Sequence, residues 1–128
     1  MVRPKAKELT VRELEVMHVF WDRGESTVAE VREVLETQGR ELAYTTVATL
    51  VKILHDKQFL AQTNDERPFK FQSARTYEEV SRSLLGDLVQ KVFGGSRAQL
   101  LVRLFEEEQL TGDEKKRLKE ILDEGGRK

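Results

Sequence analysis

No cysteine occurs anywhere in the 128 residues. That absence removes disulfides, thiolate metal sites and cysteine nucleophiles together. No apolar run approaches the ~20 residues of a membrane-spanning helix, so no direct membrane insertion is expected. The opening MVRPKAKELT lacks the apolar core of a signal peptide, which makes a cytoplasmic location the expectation. An excess of either charge is missing too, because 22 Lys and Arg face 23 Asp and Glu for a net charge of −1. Up to Arg75 there are 12 basic and 12 acidic residues, and beyond it 10 and 11. Any surface that meets nucleic acid must therefore be made by local placement of charge.

Catalytic equipment is equally scarce. His18 and His55 are the two histidines, and neither has a convincing partner in the pattern. Glu106-Glu107-Glu108 reads as a solvated helix end. The chain holds no phosphate loop, no HExxH and no nucleophile elbow. No catalytic residue, metal ligand or cofactor is expected, and the protein is not read as an enzyme.

What is present is a set of legible helix starts. A Ser or Thr followed three residues later by Glu or Gln satisfies two orphan N–H groups reciprocally. This capping box occurs at Thr10/Glu13, Thr27/Glu30, Thr76/Glu79, Ser96/Gln99 and Thr111/Glu114, each time before an apolar-periodic segment. A first helix is predicted from about Val11 to Arg23, with Leu14, Met17 and Trp21 as its apolar stripe between Val16 and Phe20. A second runs from about Val28 to Gln38 and stops at Gly39.

The third helix, about Thr45 to Lys57, has no such box and is rich in β-branched residues, which are poor helix formers. Val47, Leu50, Val51 and Leu54 share one arc of it. Thr45, Ala48, Thr49 and Lys52 share the opposite arc, with Thr46 at its margin. That outer face has two readings. It is ordinary solvated surface, or it is shaped for the major groove, where small side chains approach closely and a threonine methyl can meet a thymine methyl.

Phe59–Thr63 and Phe69–Gln72 then read as short strands around the turn formers Asn64, Asp65 and Pro68. Three helices followed by a hairpin is the order of a winged helix-turn-helix, in which Arg67 and Lys70 would sit on the wing. The expected fold is thus mainly α with a small β-hairpin wing: residues 1–75 bind DNA and 76–128 form a helical domain. Arg3, Lys5 and Lys7 could add a basic arm.

Helices four to six are predicted over about Tyr77–Phe93, Arg97–Glu108 and Asp113–Asp123. In the first two, apolar residues occupy an unusually wide arc, roughly 220° in the fourth helix where a surface helix needs only ~100°. A second copy of the chain could bury this surface over roughly 2,000 Å². Val80, Leu84, Leu88, Val92, Leu100, Leu101, Leu104 and Phe105 are the interface residues so predicted. The other reading packs these helices on the winged-helix domain of their own chain.

The segments LTVRELEVMHVFW (Leu9–Trp21), STVAEV (Ser26–Val31), AYTTVATLVKIL (Ala43–Leu54) and VFGGSRAQLLVRLFEE (Val92–Glu107) together resemble the BlaI/MecI/CopY family of bacterial repressors. The resemblance spans roughly Glu8 to Asp123. It implies a homodimeric winged-helix repressor of palindromic operators, with the recognition helix on Thr45–Leu54, the wing on Thr63–Phe69 and dimerisation through the C-terminal helices. It also implies control of β-lactam-resistance or related genes, relieved when a membrane sensor protease triggers a cut in the C-terminal domain. Three features depart from the pattern. The Asn-Phe bond cut in penicillinase repressors corresponds to Arg103-Leu104 here, and the cysteine motif of the copper-sensing branch is absent. Lys57-Gln58 also stands where relatives often have Lys-Gly after the third helix, removing the usual glycine cap. Two alternatives remain open: a winged-helix protein-interaction module, and a repressor released by a signal other than proteolysis.

Overall fold

The computed structural model describes residues 9–106 and 110–125. The expected basic arm (Arg3, Lys5, Lys7), the end of the predicted fifth helix at Glu107 and Glu108, and the terminal Arg127 and Lys128 lie outside the described residues. In chain order the elements are α1 (Val11–Arg23), β1 (Ser26–Thr27), α2 (Val28–Thr37), α3 (Tyr44–Asp56), β2 (Leu60–Gln62), β3 (Lys70–Ser73), α4 (Tyr77–Val92), α5 (Arg97–Glu106) and α6 (Gly112–Gly125).

The capping chemistry works as the pattern predicts. Both halves of the box form at Thr10/Glu13 and Thr27/Glu30 and at Thr111/Glu114. The hydroxyls of Thr76 and Ser96 accept from the N–H groups of Glu79 and Gln99. α3 ends in a turn that would ordinarily call for glycine. Gln58 takes φ = 68° there, while the Phe59 N–H donates to the Leu54 carbonyl at 2.9 Å and the Gln58 N–H to His55 at 3.0 Å. This is the Schellman arrangement, closed by burial of both Leu54 and Phe59.

The core of the first unit gathers Val16, Met17, Phe20, Val31, Leu35, Val47, Val51, Leu54 and Phe59 from α1, α2, α3 and the turn after α3. On α1 the buried face is centred on Glu13, Val16, Met17 and Phe20. Leu14 and Trp21, expected at the centre of the stripe, are only partly buried at its edge. The displacement has a cause that hydrophobicity cannot display. Glu13 is 2% exposed, and its two carboxylate oxygens lie 3.2 and 3.1 Å from Lys57 Nζ at the end of α3. Burial alone would raise this carboxyl. Hydrogen bonds from Thr10 and Lys57, with the lysine charge, outweigh it and hold the group below the ordinary carboxylate value. Trp21 instead donates its indole N–H to the Arg75 carbonyl at 2.9 Å and meets both His18 and Tyr77 edge-on.

The predicted hairpin is present, with Leu60 opposite Ser73 and Gln62 opposite Phe71. A third strand was not foreseen. β1 pairs antiparallel with β3, Ser26 opposite Phe71 and Thr27 opposite Lys70, giving the sheet order β1-β3-β2. Two residues carry no alternation to detect, and Thr27 also serves as the cap of α2.

The chain divides into two compact units after Leu85, inside α4. The reason is the first turns of α4. Val80, predicted for an interface with a second chain, is 1% exposed within the core of the first unit, and Leu84 packs against that core. Val80 is corrected from interface to core, while Leu84 is partly buried at the core's edge. In the second unit Val89 is buried, whereas Leu88, Val92, Val102, Leu104 and Ile121 are exposed.

Candidate nucleic-acid interface

α3 begins differently from its neighbours. Among the described residues it is the helix whose N-cap, Ala43, provides no side-chain hydrogen bond. The Thr46 and Val47 N–H groups donate to the Ala43 carbonyl at 3.0 and 3.1 Å, while no cap side chain covers the N–H groups of Tyr44 and Thr45, where the positive end of the helix dipole favours a phosphate oxygen. The position of this end is fixed from two sides. Arg40 makes a two-point contact with Glu15 on α1, 2.9 Å for each bond, and Arg32 donates to the Leu42 carbonyl at 3.0 Å. The turn between α2 and α3 is thereby tied to both preceding helices. Neither arginine was singled out from the sequence, since ties between distant residues leave no local pattern.

Behind this end, Val47, Val51 and Leu54 are buried. The outer face carries Thr45, Thr49 and Lys52 exposed, with Thr46 and Ala48 partly covered. The opposition of the two arcs is as the 3.6-residue period requires. Thr49 donates its hydroxyl to the Thr45 carbonyl at 2.9 Å. That bond answers the apparent waste of β-branched residues here: the hydroxyl proton is satisfied within the helix, leaving acceptor lone pairs and a methyl group to face outward.

An open groove of 840 Å³ runs between α3 and the hairpin, lined among others by Tyr44, Ala48, Lys52, Arg67 and Phe69. It brings together three of the predicted residues, Ala48, Lys52 and Arg67. Thr45, Thr46, Thr49 and Lys70 lie outside its lining. Tyr44 is an addition that sequence reading missed. It is 50% exposed and stands one and two turns before Ala48 and Lys52 on the same helical face, a spacing that could have marked it. On the hairpin, Arg67 and Lys70 are exposed, and the Arg67 guanidinium lies 5.4 Å from the centre of the Phe69 ring. The Arg67-Pro68 peptide bond is cis.

The histidines take structural places. His18 stands against Trp21 and Tyr77, and His55 meets the Phe71 ring edge-on. No group of His, Asp and Glu able to hold a metal ion occurs among the described residues, and none of their helices is long and apolar enough to cross a membrane.

A recognition-type helix with an open N-terminal end, set beside a β wing bearing cations, defines a winged helix-turn-helix DNA-binding protein. The penicillinase repressor family model matches residues 9–124. The methicillin resistance regulatory protein MecI of Mammaliicoccus sciuri is 26% identical over 118 residues, 92% of this chain and 95% of its own. The transcriptional regulator BlaI of Mycobacterium tuberculosis is 37% identical over 93 residues, 71% of this chain and 67% of its own. A structure of H. salinarum RosR shares the fold at a TM-score of 0.53 and 14% identity, covering 95% of this chain and 97% of that one. The chain belongs to the penicillinase repressor family, whose members are transcriptional repressors and not enzymes.

Proposed function

We propose that the protein is a cytoplasmic, homodimeric repressor that sets one α3 per protomer into successive major grooves of a palindromic operator. The observation that carries this reading is the combination on α3 of an uncapped N-terminus, a small polar outer face and a flanking wing with Arg67 and Lys70. Thr45, Thr46, Ala48, Thr49 and Lys52 face the bases and nearby phosphates. Two such helices one DNA turn apart, about 34 Å, read a two-fold symmetric site. Exposure of Leu88 (43%) and Val92 (64%) supports dimerisation through the second unit, because apolar surface of this kind is stabilised by a second copy. The target genes are those of β-lactam resistance or a related response, a reading supported by the similarity to MecI, a methicillin resistance regulatory protein.

The test is fluorescence anisotropy with duplex DNA from upstream of the protein's own gene, against a scrambled duplex, over a salt series. Tight binding that prefers the native duplex and weakens steeply with salt is expected. Equal, weak binding to both duplexes would replace this reading with that of a protein-interaction module.

Release by a signal other than a cut at Arg103-Leu104 is favoured by two observations. Neither residue is the Asn or Phe of the family's cut bond, and both lie inside the regular helix α5, where a protease must first unwind the chain. Mass spectrometry of the protein from β-lactam-treated cells is expected to find it intact, with a fragment ending at Arg103 as the contrary result.

A further inference from the structure

The wing has an internal organiser that neither its charge nor the helix-turn-helix accounts for. Asn64 sits at the start of the loop between β2 and β3 and spends both ends of its side-chain amide on that loop. Its Oδ1 accepts from the Lys70 N–H at 2.7 Å. Its Nδ2 donates to the Glu66 carbonyl at 2.9 Å and to the Pro68 carbonyl at 3.2 Å. Gln62 Nε2 in turn donates to the Asn64 carbonyl at 2.7 Å. The orientation of the amide follows from these partners, since a flipped side chain would set oxygen against two carbonyls and NH₂ against an N–H.

The three backbone groups held by the Asn64 side chain flank the two exposed cations of the wing. Glu66 and Pro68 bracket Arg67, and the third group belongs to Lys70 itself. A seven-residue loop without such ties would sample many backbone conformations, and fixing each residue costs about 1 kcal/mol or more in entropy. Met before binding, that cost no longer weakens association.

We propose that Asn64 is a positioning residue for DNA binding, which pre-forms the wing so that Arg67 and Lys70 reach the phosphates together. The inference rests on the reading of the wing as part of the DNA interface. Asn64 acts through these two cations and has no contact of its own with the nucleic acid.

The experiment is a double-mutant cycle on the full chain, read by anisotropy with the upstream duplex across a salt series. Arg67→Ala/Lys70→Ala is expected to weaken binding and flatten the salt slope by about two units per protomer, about four for the operator-bound dimer. Asn64→Ala alone is expected to weaken binding about fivefold, as for one net hydrogen bond, and to flatten the slope as well. In the Arg67→Ala/Lys70→Ala background, Asn64→Ala is expected to cost nothing further. Circular dichroism melting of each variant, with an unchanged midpoint expected, establishes that the fold survives. An equal loss from Asn64→Ala in both backgrounds would overturn the proposal by giving Asn64 a role independent of the cations. No loss in the wild-type background, where the two cations matter, would mean that the wing is formed without it. If Arg67→Ala/Lys70→Ala leaves affinity and slope unchanged, the wing reading itself fails and takes this inference with it.

Discussion

The two units of the chain solve the problem of apolar surface in opposite ways. In the first, three helices, a sheet and the early turns of α4 enclose a continuous core in which Val16, Met17, Val31, Val47, Leu54 and Phe59 are completely buried. In the second, helices of similar amphipathic character leave Leu88, Val92, Val102, Leu104 and Ile121 exposed, and α5 has no buried residue among those described. A unit that closes on itself can present a specialised outer face. A unit that does not is suited to association. The contrast assigns recognition to one and, under the proposed function, assembly to the other.

Separate substitutions should pull these roles apart, and Thr49→Asp is expected to have the largest effect. It places an anion on the outer face of α3, so specific operator binding should disappear while sedimentation still reports a dimer. Retained affinity would put the DNA on another face. Leu88→Asp should do the converse, dissociating the dimer and weakening operator binding by about 10²-fold or more through lost avidity. Its first unit should keep its helical content, and a variant that sediments as a dimer would move the interface elsewhere.

Stability of the first unit provides a third division. Glu13→Ala removes the buried carboxylate that accepts from the Thr10 N–H and from Lys57, and should cost about 1–3 kcal/mol, measured by urea unfolding. The same pair predicts a pH dependence. Since the folded carboxyl titrates below its ordinary value, its contribution is fully present above the unfolded pKa of about 4.3 and is lost as pH falls through the lower folded value. Glu13→Gln should flatten that acid-side loss. The smallest effect belongs to Lys52→Ala, which should reduce the salt slope by about one unit per protomer, about two for the dimer, if its ammonium meets a phosphate.

Much of this organisation was legible because it rests on local chemistry. Hydroxyl caps announce a helix within four residues of sequence, and the period of α3 separates Val47, Val51 and Leu54 from Thr45, Thr49 and Lys52 despite weak propensity. The illegible features are those made between distant segments. Glu13 reads as a surface residue until Lys57 is brought to it. Val80 reads as spare apolar surface until the first unit claims it. β1 is too short to have a period, and Asn64 reads only as a turn former because its partners are backbone groups. Tyr44 was within reach, standing four and eight residues before two residues that were chosen.

Gln58 gives α3 a margin for change. A side chain held at φ = 68° costs about 1 kcal/mol that glycine would not, yet the turn it occupies faces away from the threonines of α3 in sequence and in task. The chain thus holds a simple reserve of stability, one substitution away, that alters no residue on the outer face of α3. Drawing on it would let the outer face of α3 accept further destabilising exchanges, and with them new operator preferences, without loss of the fold.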